Sequence, residues 1–344
     1  MGNANFLKCV ILGCLFILAG CAGNKAPEVS AEVPAESSVS PALKGIEEPA
    51  GEKHFFWKVS DENSSVWVLG SVHFADSTFY PLDSVIESAF VASEELAVEI
   101  NLNDDSTSNE VSSKMMQDGL LPAGVTLNSV LPRNVWNSLD SLCAAWNFPV
   151  MALQRLRPWF AATTLSAVAI QRAGIQAEYG IDVVLMDRAA TDGKAIVGLE
   201  TAEDQVSALS GTGKDSDESQ SDSAGVYYLK TTLREIAGLD SMVAQMMRAW
   251  KTGNDSLLRV VMNAEFCDEK SGNCEGDSES EKKMKADLEE RIYTSRNAKM
   301  AGSIAQFLEE DRNVFVVIGA AHLALDEDNV IELLRRKGFR IQRF

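Results

Sequence analysis

VWVLGSVH, residues Val66 to His73, has a pattern that VFVVIGAAH, Val314 to His322, repeats. In each stretch a short apolar run ends at a glycine, and a histidine follows three positions later. Runs of Val, Leu and Ile bounded by glycine are typical of buried strands in a parallel sheet that is covered on both faces. We expect the glycine to let the backbone turn sharply after each strand.

The repeated pattern contains two of the three histidines of the chain, His73 and His322. Ligands of open parallel sheets bind in the crevice beyond the carboxyl ends of the strands, and both histidines would stand there. A single histidine at a strand end is more often a hydrogen-bonded structural residue than a ligand. Two neutral imidazoles that converge on one crevice are what a metal site needs, so the pair predicts a shared site.

Composition limits the classes of protein that need to be considered. The chain has 344 residues, of which 46% are hydrophobic and 24% charged, so it can bury a sizeable core as a globular protein. Its formal net charge is −19, and no basic cluster offsets this charge locally. Because phosphates would be repelled, the composition argues against a nucleic-acid partner.

The first twenty residues have the pattern of an export signal. Lys8 precedes an apolar segment, Cys9 to Leu18, that is too short to span a bilayer. Leu18-Ala19-Gly20-Cys21 then resembles the lipobox of bacterial lipoproteins, which implies cleavage before Cys21 and a lipid on its thiol. By the same resemblance, Ala22 implies an outer-membrane lipoprotein of the bacterial cell envelope that faces the periplasm. A plain secretory signal is the alternative.

Residues 21–53 are expected to form a disordered tether between the membrane and a folded domain of residues 54–344. Four of the nine prolines lie between Ala22 and Lys53, where no aromatic residue occurs. Such a segment cannot bury enough apolar surface to offset the loss of conformational entropy. The membrane is therefore an expected partner, through the N-terminal lipid.

The order of patterns in residues 54–344 predicts an α/β fold with a central, mainly parallel sheet and a large helical insertion. A hairpin is expected around Asp61-Glu62-Asn63, followed by a helix from Asp83 to Ala92. Apolar periodicity, turn residues and proline position indicate the later segments. They are a strand at 95–101 that carries Glu99, helices across 106–174, a strand at 195–199 that leads to Glu200, a loop at 211–224, helices at 225–250, 255–264 and 280–310, a strand at 315–319, a helix at 329–337 and a final strand.

Cysteine usage agrees with export. Cys9 and Cys14 would leave with the signal, so the mature domain keeps Cys143, Cys267 and Cys274. We expect a disulfide between Cys267 and Cys274 in an oxidising compartment, with zinc binding by this pair as the weaker alternative. Cys143 is expected to be a buried apolar residue.

Six short motifs together resemble the TraB/GumN family, which is related to the Tiki proteins. They are GSVH at Gly70, AVEIN around Glu99, EYGID from Glu178, GLETAEDQ from Gly198, RN at Arg296 and GAAHL from Gly319. Their order and approximate spacing match the family from about Phe55 to Phe344. The resemblance implies an α/β fold with paired GxxH histidines and acidic residues at one site. Similarity to the Tiki proteins implies a hydrolase that depends on a divalent metal, with proteolysis as the example in that branch.

These residue types suggest metal-assisted hydrolysis of a peptide, amide or ester bond in a peptide or small-molecule substrate. His73, Glu99 and His322 would hold one divalent cation, for which zinc fits the ligand types and the resemblance also allows manganese or cobalt. Glu200 or Glu178 would take the proton from the metal-bound water. Arg296 would face the oxyanion that develops in the transition state.

Several of these residues also have structural interpretations. Glu99 could be a solvated residue at a strand end, and Glu200 could cap the following helix. Glu178 and Asp182 could be a pair at a helix start, and Arg296 could form a surface ion pair of little value. The alternative function is an envelope lipoprotein that binds a metal, a haem or a peptide without turnover.

The lipid anchor gives the first testable prediction. Cys21→Ser removes the thiol that would carry the lipid, so palmitate labelling should be lost and the protein should move from the membrane fraction to the soluble fraction. Labelling with fractionation measures both effects. A parent protein that carries no label, together with an unchanged membrane fraction in the variant, would contradict the lipoprotein interpretation.

Overall fold

The computed structural model of the protein describes residues 54–211, 218–263, 279–324 and 328–344. The predicted signal, the tether and the Cys267–Cys274 pair lie outside the described residues, as does much of the loop expected at 211–224. No helix in the described ranges has the length and apolar character needed to cross a membrane. Cys143 is buried and free, as expected.

A mixed sheet forms the centre of the described structure, which is α/β as the sequence predicts. Its strands are β1 (Phe56–Ser60), β2 (Ser65–Ser71), β3 (Glu95–Val98), β4 (Ala195–Gly198), β5 (Val314–Gly319) and β6 (Arg340–Arg343). They lie in the order β4-β3-β5-β2-β1-β6. The first four strands in this order are parallel, whereas β1 is antiparallel to both β2 and β6.

The predicted hairpin is present as β1 and β2. The Asp61 side chain closes its turn, because one carboxylate oxygen accepts hydrogen bonds from the backbone amides of Asn63, at 3.1 Å, and Ser64, at 2.7 Å. An aspartate that accepts from the backbone two residues on is a common way to stabilise such a turn. The hairpin fixes the start of β2, and therefore where β2 ends.

Most of the remaining described chain is helical. They are α1 (Ser84–Ala92), α2 (Asp105–Gly119), α3 (Leu127–Val130), α4 (Arg133–Ala145), α5 (Pro158–Arg172), α6 (Ile181–Thr191), α7 (Ala202–Ser210), α8 (Glu218–Glu235), α9 (Leu239–Lys251), α10 (Asp255–Asn263), α11 (Glu279–Glu289), α12 (Ser295–Glu309), α13 (Ala320–Ala324) and α14 (Val330–Arg336). The helical section between β3 and β4 confirms the expected insertion.

One helix begins earlier than predicted. The sequence suggested a start near Gly225, but α8 begins at Glu218. The first turns of α8 are polar, and for that reason the sequence pattern predicted a loop there. In the fold α8 packs along α5, and the Asp222 carboxylate accepts a hydrogen bond from Arg157 Nη1 at 2.6 Å. This tertiary contact is invisible in the local sequence pattern.

The core is deepest around β5. All six of its residues are buried, which is the expected condition of a strand covered on both faces. The Phe315 ring packs against those of Phe56 and Phe90, with centroid distances of 5.8 Å and 5.5 Å. The apolar run of the second GxxH stretch is therefore at the centre of the core.

The expected turn is absent at Gly70, so the prediction was wrong for that glycine, whereas the chain does turn after Gly319, because α13 begins at the next residue. Gly70 lies inside β2 and Gly319 ends β5, and neither has a positive φ. A Cβ on Gly70 would lie 3.0 Å from Ala320 Cα and 3.0 Å from Phe55 Cβ. Gly70 is therefore needed because the backbones beside it pack closely.

Gly70→Ala should lower the free energy of unfolding by about 1–3 kcal/mol, because the added methyl group overpacks a buried backbone contact. Gly302→Ala is the matched control. Its Cβ would meet nothing within 4 Å, and replacing a glycine inside α12 should raise stability by about 0.5–1 kcal/mol. Urea unfolding measures both. A neutral or stabilising Gly70→Ala would refute the close-packing explanation.

Candidate active site

Four polar residues follow the four parallel strands at one edge of the sheet. Glu200 follows β4, Glu99 follows β3, His322 lies in α13 directly after β5, and His73 follows β2. Their order along the edge is that of the strands. All four are buried, with exposed fractions of 7%, 3%, 1% and 4% respectively. Polar groups at this depth must be paired, so their partners define what the site can do.

Arg296 links the two glutamates. Its Nη2 donates to Glu99 Oε2 at 2.6 Å and to Glu200 Oε2 at 2.7 Å, and its Nε donates to Glu200 Oε1 at 2.8 Å. The planar guanidinium suits this forked contact with carboxylates. Arg296 is 5% exposed, so it belongs to a buried network rather than to a surface ion pair.

Further donors complete the carboxylate network. Gln205 Nε2 donates to Glu200 Oε2 at 2.6 Å and to Glu99 Oε2 at 3.3 Å. The backbone amide of Gly319 donates to Glu99 Oε1 at 2.7 Å. Glu99 therefore joins β3, the end of β5 and α12 through one carboxylate.

Glu99 is ionised at neutral pH despite its burial. Burial by itself would raise the pKa of this carboxyl, but the adjacent Arg296 guanidinium acts most strongly against that effect, and the hydrogen bond from the Gly319 amide lowers the pKa further. The pKa of Glu99 is consequently held well below its ordinary value. A negative charge is thus fixed beside His322, at the centre of the cluster.

His322 presents one ring nitrogen as a base. Its Nδ1 lies 2.6 Å from Asn297 Oδ1, while Asn297 Nδ2 donates to the Asp328 carbonyl at 3.1 Å. Because the Asn297 nitrogen is used there, its oxygen must accept from His322, which assigns the proton to Nδ1. Burial lowers the pKa of His322 to about 3, so the ring is neutral. Its Nε2 is buried, has no hydrogen-bond partner in the described structure, and lies 3.9 Å from Glu99 Oε1.

His73 has a different partner. Its Nδ1 forms a close hydrogen bond with Asp182 Oδ2, and both side chains are almost completely buried. A carboxylate only accepts, so this bond also places a proton on Nδ1. Burial acts to lower the pKa of His73, but the Asp182 carboxylate outweighs it and the pKa is raised. His73 therefore gains a proton more readily than an ordinary histidine.

Gly180 explains how Asp182 reaches His73. The Ile181 amide donates to the Val72 carbonyl at 3.1 Å, so the start of α6 lies directly against the chain that leaves β2. A Cβ on Gly180 would be 2.5 Å from the His73 carbonyl oxygen. Only glycine allows this approach, which gives a physical reason for the EYGID sequence.

A π-helical turn shapes the other side of the cluster. The helix predicted across 280–310 is interrupted at Glu290–Thr294, between α11 and α12. The Tyr293 ring packs against His322 at a centroid distance of 5.3 Å, and Arg296 Nη1 donates to the Ile292 carbonyl at 3.2 Å. Such turns are frequent at functional sites, where they redirect side chains.

The cluster contains most of the residues expected from the sequence, together with three that were not. His73, Glu99, Glu200, Arg296 and His322 are buried members. Glu178 is instead exposed, on a short 3-10 helix at Ala177–Tyr179. Sequence reasoning missed the contributions of Asp182, Asn297 and Gln205, although each lies within a quoted motif.

The expected metal ligands come together in part. In the described ranges, no group of three or more His, Cys, Asp or Glu side chains is placed to hold a metal ion. Glu99 Oε1 and His322 Nε2 do face each other, and a carboxylate oxygen with a neutral imidazole nitrogen suits a divalent cation. The pair therefore fits two ligands of a cation, whereas the triad with His73 does not fit as placed.

Comparison with known proteins finds a family match over most of the chain. The model of the TraB/PrgY/gumN family matches residues 55–343. The uncharacterized protein YbaP of Escherichia coli strain K12 is 25% identical over 160 residues, which cover 45% of this chain and 57% of that protein. The protein of the same name from Shigella flexneri matches to the same extent. The match thus spans little more than half the length of these relatives. No solved structure matches the chain.

Arg296→Met should destabilise the protein by about 3–5 kcal/mol, because it leaves two buried carboxylates without their shared cation. Arg312→Met is the matched control. Arg312 pairs with Glu95 at the surface, where both side chains are about a quarter exposed, so its loss should cost no more than about 1 kcal/mol. Equal losses of unfolding free energy in the two variants, measured by chemical denaturation, would show that the buried ion pairs stabilise the protein no more than the surface pair does.

Proposed function

The chain belongs to the TraB/PrgY/gumN family, and we propose on that premise that it is a hydrolase of peptide, amide or ester bonds. The reaction would take place at the cluster of His73, Glu99, Glu200, Arg296 and His322. One observation carries the proposal: each histidine has its Nδ1 held by a buried acceptor, Asp182 or Asn297. Histidines oriented in this way are typical of metal ligands and of acid–base catalysts.

A divalent cation, zinc, manganese or cobalt, would be held by Glu99 Oε1 and His322 Nε2. Three properties of the pair support this. Glu99 is ionised, His322 is neutral, and its Nε2 is a buried nitrogen with no described partner. When bound, such a cation lowers the pKa of a coordinated water and makes it a nucleophile.

His73 would act as the proton acceptor in hydrolysis. Asp182 fixes the proton on Nδ1, which leaves Nε2 to accept a second one, and the raised pKa of His73 favours that transfer. Asp182 stabilises the imidazolium that results. We assign this role to His73 rather than to a third ligand position, because its pairing with a carboxylate suits proton transfer.

Glu200 and Arg296 would position the site. Both oxygens of Glu200 accept hydrogen bonds from Arg296, and one of them also accepts from Gln205. Three hydrogen bonds thus engage both oxygens, which argues against Glu200 as the proton acceptor. The Arg296 donors are directed at the two glutamates and the Ile292 carbonyl, so its best supported role is to hold Glu99 in place. Exposed Glu178 has no supported role here.

The second candidate function is metal binding without turnover, and burial favours it. His322 is 1% exposed and Glu99 3% exposed, which suits an ion better than a bulky substrate or a haem. This alternative shares the Glu99–His322 pair with the hydrolase and differs only in His73, which would then be structural.

We propose the bacterial envelope as the location, on the sequence alone. The Leu18-Ala19-Gly20-Cys21 motif supports an outer-membrane lipoprotein that faces the periplasm, with the membrane as partner through the lipid on Cys21. Hydrolysis of a periplasmic peptide is compatible with that position.

Metal content and hydrolysis of a peptide library, measured on four proteins, test the proposal. Wild type should bind about one divalent cation and hydrolyse a peptide. His322→Ala should lose the cation, whereas His73→Ala should keep it and lose about 10²–10⁴-fold in kcat/KM. His54→Ala is the control, because His54 lies outside the cluster, beside Asp83.

The outcomes separate the two functions. A cation bound by wild type and lost in His322→Ala, with no hydrolysis in any protein, would favour the binding function. Hydrolysis that survives both His73→Ala and His322→Ala would refute the assignment of the site.

A further inference from the structure

The hydrogen bond between His73 and Asp182 joins two segments that are far apart in the sequence. The His73 segment, residues 72–80, leaves the end of β2, and the Asp182 segment, residues 175–182, runs into the start of α6. Both side chains are almost completely buried. The geometry of the His73–Asp182 bond therefore depends on how the two segments are held together.

Main-chain hydrogen bonds join the two segments at two points. Ala75 and Gln176 form an antiparallel bridge, with N···O distances of 3.3 Å and 3.2 Å. The Ile181 amide donates to the Val72 carbonyl at 3.1 Å. The short 3-10 helix Ala177–Tyr179 lies between these two points in the chain. Its position decides where the chain enters α6.

A side-chain hydrogen bond from Tyr80 holds this 3-10 helix. The Tyr80 hydroxyl donates to the Tyr179 carbonyl at 2.8 Å, and the Tyr80 side chain is half-buried. Burial raises the pKa of Tyr80, and the Asp182 carboxylate raises it further, so the hydroxyl keeps its proton and remains a donor. Because Tyr179 precedes Asp182 by three residues, the bond acts on the short length of chain that brings the carboxylate to His73.

We propose that Tyr80 is a positioning residue for the His73–Asp182 pair. Its hydroxyl is directed at a main-chain carbonyl, so it acts through the position of Asp182 and not on a reacting atom. Without the hydroxyl, the Tyr179 carbonyl loses this donor, and the start of α6 is held less firmly against the His73 segment. The inference rests on the proposed function only for its catalytic meaning, because the hydrogen bond that it concerns can be measured without turnover.

Tyr80→Phe tests the proposal, because it removes the hydroxyl and keeps the ring. Tyr228→Phe is the matched control. The Tyr228 side chain is buried, and its hydroxyl lies 3.4 Å from Thr163 Oγ1, between α8 and α5. Each variant thus loses one hydroxyl, but only Tyr80→Phe loses the bond to the Asp182 segment. Unfolding midpoints show that both variants are folded.

Proton NMR of the chelator-treated protein measures the His73–Asp182 bond directly. An imidazole N–H that donates to a carboxylate forms a strong, charge-assisted hydrogen bond. Its signal therefore lies far downfield, and it is assigned to His73 by its absence from His73→Ala. In Tyr80→Phe this proton should move upfield and exchange with water about two- to tenfold faster, which is the typical net value of one hydrogen bond. In Tyr228→Phe it should be unchanged.

Hydrogen exchange of the wild type is a second test that needs no substitution. If the two segments are held together, the Gln176 and Ile181 amides should exchange much more slowly than unprotected amides. Exchange of both amides at the unprotected rate would overturn the proposal, because segments that separate freely cannot fix the position of Asp182.

Kinetics distinguish positioning from a general loss of stability. Tyr80→Phe should lower kcat for a hydrolysed peptide by about tenfold or more, because a small displacement of a catalytic group is costly. KM should change little, because Tyr80 does not bind the substrate. Tyr228→Phe should leave both constants unchanged.

Failure of the positioning role and failure of the hydrolase are distinguishable. A shifted His73 proton in Tyr80→Phe, with no hydrolysis of any peptide by the wild type, would keep the positioning role and refute the hydrolase. A His73 proton that is unchanged in folded Tyr80→Phe would refute the positioning role, whether or not the protein hydrolyses a peptide. Equal shifts in Tyr80→Phe and Tyr228→Phe would also refute it, because the effect would then be a general one.

Discussion

The site depends on the ion pairs of Arg296 with Glu99 and Glu200. Three elements meet there, because α12 supplies the arginine and the ends of β3 and β4 supply the carboxylates. The Gly319 amide adds β5 through its bond to Glu99. Buried charges are tolerated only when they are paired and hydrogen-bonded, so the network allows little displacement of these elements. The position of His322, one turn beyond β5, follows from this constraint.

The two histidines share a sequence pattern and differ in chemistry. The partner of His73 is a carboxylate, which raises its pKa, whereas the partner of His322 is a neutral amide, and burial then lowers its pKa. One imidazole is thereby suited to accept a proton and the other to remain a neutral ligand. A repeated GxxH pattern can therefore supply two different functions, and the distinction lies in Asp182 and Asn297.

The sequence was sufficient to predict the sheet edge but not the partners of the site residues. Apolar runs identify parallel strands, and parallel strands place Glu99, Glu200 and the histidines at the same edge by geometry. The partners come from other elements, and their roles depend on tertiary contacts that no local periodicity encodes. Asp182 reaches His73 only because Gly180 allows a close backbone approach. The π-helical turn and the early start of α8 escaped prediction for the same reason.

The chemistry of the site requires that both rings carry their proton on Nδ1 and that His322 remains neutral. Nitrogen-15 NMR of the histidine rings in chelator-treated protein measures both properties, with His54→Ala to assign the third ring. We expect that both Nδ1 atoms are protonated, that His322 does not titrate between about pH 5 and 8, and that His73 titrates above the ordinary histidine range. A His322 ring that carries its proton on Nε2, or that titrates near pH 6.5 like an unperturbed histidine, would contradict it.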